Sequence, residues 1–96
     1  MNATYAQAVV ADRRLMILCA LAETLGYGAN ASLLQTLLDS VGHVMSADQV
    51  TAELVWLAEV GLVTLKDQAA ILSARGGEVA AGRAAVPGVR RLRPGE

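Results

Sequence analysis

The chain has 96 residues, 54% of them hydrophobic, and a net charge of −1 at neutral pH, which suits one domain with one modest core. No apolar run approaches the roughly 18 residues of a membrane span, the start lacks a charged-then-apolar leader pattern, and a single cysteine, Cys19, excludes an internal disulfide. The expectation is a soluble cytoplasmic protein, and the scarcity of aromatics (Tyr5, Tyr27 and Trp56) points to a core of packed helices.

The first helix is predicted over 4–25. Thr4 and Gln7 have capping-box spacing, and Ala8, Ala11, Leu15, Leu18, Ala22 and Leu25 recur at helical period. Asp12 is an alternative cap for a shorter helix starting near Arg13. Residues 26–29, with two glycines, break the pattern. Asn30 or Ser32 opens a second helix, whose apolar face carries Leu33, Leu34, Leu37, Leu38 and Val41 before Gly42 ends it. Ser46, with Gln49 three residues on, caps a third helix. Its inward stripe is Val50, Leu54 and Leu57, and Gly61 is placed to stop it. The period then changes: 62–65 and 70–72 read as strands joined by a turn over 66–69. Ser73 can cap a short fourth helix reaching about Arg83, weakened by Gly76, Gly77 and Gly82.

Charge is unevenly spread. Residues 1–82 balance to −4 and residues 83–96 to +3. The division is therefore a domain over 1–83 and a basic tail over 84–96, whose Pro87, Gly88, Pro94 and Gly95 predict an extended or mobile segment.

The stretch Leu54-Val-Trp-Leu-Ala-Glu-Val-Gly-Leu-Val-Thr-Leu65 resembles the end of the third helix and the first wing strand in winged helix-turn-helix regulators of the ArsR and MarR kind. Leu72-Ser-Ala-Arg-Gly-Gly-Glu-Val-Ala80 resembles the segment after the wing in the same families. A closer resemblance is to small winged-helix proteins of Mu-like prophages, through Asp12–Leu18, Asn30–Leu34, Leu57–Val63 and Val79–Val89. The resemblance implies a mainly α fold with a small β-hairpin. That fold has a three-helix core, a two-stranded wing and a short C-terminal helix. It also implies a prophage origin.

Two functions follow as expectations. The first is a DNA-binding transcriptional regulator, dimeric, with double-stranded DNA as partner. Gln49 and Thr51 on the third helix, Lys66 and Arg75 flanking the wing, and Arg90, Arg91 and Arg93 of the tail are its candidate contacts. The second is a protein-interaction module of the same fold that holds a phage or host protein and no DNA. Its motivation is that the third helix carries Asp48, Glu53 and Glu59 and no Lys or Arg, whereas phosphate contacts need cations.

Candidate interface residues are Tyr5, Val9 and Val10, in an apolar helix start suited to a homodimer, and Trp56. Trp56 is read either as a core-edge side chain covering the wing or as part of an interface with Ala52 and Val55. Arg13 and Arg14 are expected on the outer face of the first helix, Cys19 in the core, and His43 in a turn. One Cys and one His give no metal-ligand set. No catalytic constellation or cofactor motif is visible, so no enzyme and no cofactor are expected.

Overall fold

The structure, a computed structural model, describes residues 4–96. The described chain runs α1 (Tyr5–Glu23), a single 3-10 turn (Leu25–Tyr27), β1 (Gly28–Asn30), α2 (Ala31–Ser40), α3 (Ala47–Glu59), β2 (Val63–Lys66), β3 (Ala69–Leu72) and α4 (Ala74–Ala80). It is thus helical with a small antiparallel sheet of order β1-β3-β2.

Each helix starts where a side chain satisfies its free N–H groups. Thr4 and Gln7 form a reciprocal capping box on α1, and Ser46 and Gln49 form another on α3. Asn30, rather than Ser32, caps α2, its side chain accepting from the Leu33 N–H at 2.8 Å. Ser73 does double work at α4. Its Oγ accepts from the Gly76 N–H at 3.0 Å and donates to the Gly61 carbonyl at 2.7 Å, tying the start of α4 to the end of α3.

The core sits between α1, α2, α3 and the inner face of the sheet. Leu15, Ile17, Leu18 and Leu21 of α1 are fully buried, and Leu34, Val50, Leu57 and Leu62 meet them. Each such side chain contributes roughly 2 kcal/mol by burial. The chain reverses after α3 with the Leu62 N–H donating to the Leu57 carbonyl at 2.9 Å, so both leucines point into one core.

Four expectations are corrected. The sheet has a third strand: Gly28 and Ala29, predicted within a break, and the helix-capping Asn30 pair with β3 in the register Gly28↔Ile71, Ala29↔Ala70 and Asn30↔Ala69. A Gly-Ala-Asn triplet has no strand propensity of its own; it is extended because the open edge of β3 offers it partners. Second, α1 ends at Glu23, where Thr24 turns extended and its hydroxyl bonds the Leu21 carbonyl. Third, α4 ends at Ala80 rather than near Arg83, because Gly82 takes a positive φ and the turn closes on the Val79 carbonyl. Fourth, the segment after α4 lies against the body. Val89 is buried, Ala84, Val86 and Leu92 pack on the core, and the Arg90 N–H donates to the Ala11 carbonyl at 3.1 Å.

Candidate binding surface

The outward face of α3 carries Asp48, Gln49, Thr51, Ala52, Val55 and Glu59, all exposed. Its ionisable groups are Asp48 and Glu59. The third acid of this helix, Glu53, is only 7% exposed and faces α1. There Arg14 Nε donates to its carboxylate at 3.0 Å and Arg13 lies 3.7 Å away. Arg14 also stacks on Trp56, 3.7 Å from the ring centroid, and its Nη1 donates to the Gly88 carbonyl at 3.2 Å. Arg13 and Arg14 therefore join α1 to α3 rather than facing outward. Trp56 lies against Arg14 of α1 and Gly88 of the C-terminal segment.

A second ionic cluster holds the C-terminal segment. Asp12 accepts from Arg90 Nε at 2.7 Å and bonds His43 Nε2 at 2.7 Å, and Arg90 reaches Glu96 at 2.8 Å. Partial burial alone would raise the Asp12 carboxyl, but the bonds from His43 and Arg90 outweigh it and hold it below its ordinary value. Glu96 is lowered to about 2 by its bonds from Arg90 and from the Arg93 backbone. Arg90 is held still more firmly protonated by the same carboxylates.

The residues that sequence reasoning assigned to DNA are spread over α3, β2, α4 and the C-terminal segment. Gln49 closes the α3 cap through its side-chain oxygen, 2.8 Å from the Ser46 N–H. Thr51 is exposed on the flank of α3 nearest the hairpin, Lys66 ends β2, and Arg75 is exposed on the first turn of α4. Arg90 is committed to Asp12 and Glu96, Arg93 approaches Glu96 at 3.5 Å, and Arg91 donates to the Gly82 carbonyl at 3.4 Å. Arg13, Arg14, Arg83, Arg90 and Arg93 pair with carboxylates, leaving Lys66, Arg75 and Arg91 without such a partner among the described residues.

Of the interface candidates, Tyr5 is 85% exposed and Val9 and Val10 are half-buried. Of these, Val10 lines an open groove of about 570 Å³, with Ala6, Gln7, Ala11, Arg14 and Gly88. Cys19 is half-buried, with its thiol pushed up by burial. Among the described residues no group of three or more His, Cys, Asp or Glu side chains is placed to hold a metal ion. No described helix is long and apolar enough to cross a membrane.

The sequence is 46% identical over 87 residues to the uncharacterized protein gp26 of Escherichia phage Mu, an alignment covering 86% of this chain and 90% of that protein. It is 40% identical over 63 residues to an uncharacterized protein of Haemophilus influenzae, covering 66% of this chain and 61% of that one. No protein-family model and no solved structure matches it. The chain belongs to the family of phage Mu gp26.

Proposed function

We propose that this protein is a winged-helix domain that acts by binding, not catalysis, and that its third helix faces a protein rather than DNA. Three helices followed by a hairpin and a short helix follow the winged-helix order, with β1 as the small third strand. The observation that carries the choice of partner is the outward face of α3: Asp48, Thr51, Ala52, Val55 and Glu59, with no cation. A helix lying in a major groove sits between two rows of phosphates, and this face would bring acids to them. Titrating a fluorescein-labelled duplex at low salt tests the reading. Absence of saturable binding up to about 100 μM supports it, since non-specific DNA-binding proteins bind at or below about that concentration. Salt-dependent binding abolished by Lys66→Ala or Arg75→Ala overturns it.

DNA binding is the second reading. It is favoured by Lys66, Arg75 and Arg91, which have no carboxylate partner among the described residues, and of which Lys66 stands beside the hairpin turn. Three phosphate contacts give a salt slope of about −3 per chain, so this reading requires a dimer to reach useful affinity. The exposed, uncharged start of α1 supports such self-association, because Tyr5 is left in water. Sedimentation equilibrium tests it: a mass twice the 10.0 kDa of the chain, halved by Val9→Asp, supports the dimer, and a monomer at about 100 μM rejects it.

A further inference from the structure

The hairpin overruns the helix it packs on. Val63 is buried against the core, and two residues on, the same sheet face presents Leu65, 46% exposed. Opposite it on α3 stands Val55, 43% exposed. Between them lies a groove of about 450 Å³ whose walls include Ala31, Thr51, Leu54, Val55, Leu65 and Ala69. None of its lining residues is charged; the acids are neighbours by position. Asp48 and Glu59 share the α3 face with Val55, and Asp67 stands at the hairpin tip. Lys66 alternates with Leu65 along β2 and so belongs to the opposite sheet face.

The edge beside this groove is open. Asp67 and Gln68 both have positive φ (50° and 66°) and form a two-residue turn with Lys66↔Ala69 as its closing pair. In such a hairpin the closing pair exchanges hydrogen bonds and the next pair does not. Leu65 therefore turns its N–H and C=O away from β3, and β2 is the edge of the sheet.

We propose that this groove binds an extended protein segment whose apolar side chain enters between Val55 and Leu65, with Lys or Arg on either side facing Asp48, Glu59 and Asp67. The backbone of that segment pairs with Leu65, as in strand addition to a sheet edge. The proposal rests on the protein-binding reading above and names its surface and partner chemistry. Complementary charge from Asp48, Glu59 and Asp67 favours a basic segment over an acidic one, and no cation lines the groove to meet a phosphate backbone.

The test uses two synthetic peptide pools with Val, Leu or Ile at three central positions. Lys and Arg flank these positions in one pool, Asp and Glu in the other. Each pool is titrated into the isotopically labelled full chain and followed by amide chemical shifts. The expected result is shifts confined to residues 30–32, 51–55 and 65–69, at least tenfold tighter for the basic pool. Leu65→Ser should weaken binding about tenfold, and Asp48→Lys with Glu59→Lys should reverse the preference; both variants change exposed side chains and leave the core intact. Shifts confined to residues 5–11, or equal affinity for both pools, overturn this surface and leave the protein-binding reading standing. A labelled duplex that shifts residues 48–59, where the peptides shift nothing, overturns both.

Discussion

Glu53 is placed on α3 where water scarcely reaches it, and two guanidiniums of α1 meet it there. Of the two, Arg14 is the better partner. It bonds the carboxylate at 3.0 Å, stacks on Trp56 and holds the Gly88 carbonyl, whereas Arg13 stands at 3.7 Å with its Nε buried and unpartnered among the described residues. Removing the shared anion leaves two partly buried cations facing each other. Glu53→Ala should therefore cost about 3 kcal/mol, read as a lower urea midpoint at unchanged slope, while Asp48→Ala on the exposed face of the same helix should stay within about 0.5 kcal/mol.

Gly88 is held to its identity by the same cluster: its φ is +92°, and an added Cβ would stand 2.9 Å from the Trp56 ring. None of this was legible in the sequence. Glu53 read as one of three acids opposing DNA, and nothing local signals that its closer partner, Arg14, lies 39 residues upstream.

Acid should loosen the second cluster. Asp12 and Glu96 have folded values below their unfolded ones, so each stabilises the fold above the ordinary carboxyl range. Each loses that contribution as pH falls toward the folded value, about 2 for Glu96. Tm should accordingly fall between about pH 5 and about pH 2. Asp12→Asn should lower Tm at neutral pH and flatten that fall. An unchanged acid slope in Asp12→Asn would show that Asp12 does not clasp Arg90 and His43.

At the scale of elements, caps and core stripes were readable and pairing partners were not. Ser46 with Gln49, and Val50 with Leu54 and Leu57, specify α3 through local spacing, and the structure keeps both. β1 was missed because Gly28–Asn30 has meaning only beside β3. Gly76 was read as a weakness in the fourth helix, yet a Cβ there would fall 2.0 Å from the Leu62 carbonyl oxygen. Glycine is what lets α4 lie against the strand entry, a close approach that propensity cannot show. The hairpin turn is less well suited to its conformation. Gln68 adopts a φ of +66° without being Gly or Asn, so Gln68→Gly, giving Asp-Gly in the turn, should raise stability by about 0.5–1 kcal/mol. Thermal unfolding checks this, and a lower Tm would mean that the Gln68 side chain makes a contact worth more than the strain.

For the whole molecule, the distribution of charge decides the reading. Counting along the chain, the basic residues collect at its end and suggest an arm for DNA. In three dimensions that end is tied down: Arg90 and Arg93 answer to Asp12 and Glu96, and Val89 is in the core. The helix that would enter a groove shows acids and apolar side chains to solvent. Sequence reasoning reached the acidity of α3 but not the commitment of the arginines, because ion pairs between segments 78 residues apart leave no periodic trace.

The most direct measurement is duplex binding at low salt by the natural chain beside a variant carrying Asp48→Lys, Ala52→Lys and Glu59→Lys. If charge alone keeps a competent winged helix off DNA, the variant binds with a salt slope near −5, from these three lysines with Lys66 and Arg75, and the natural chain does not bind. Equal binding by both would contradict the account, since the face of α3 would then not be what decides the partner.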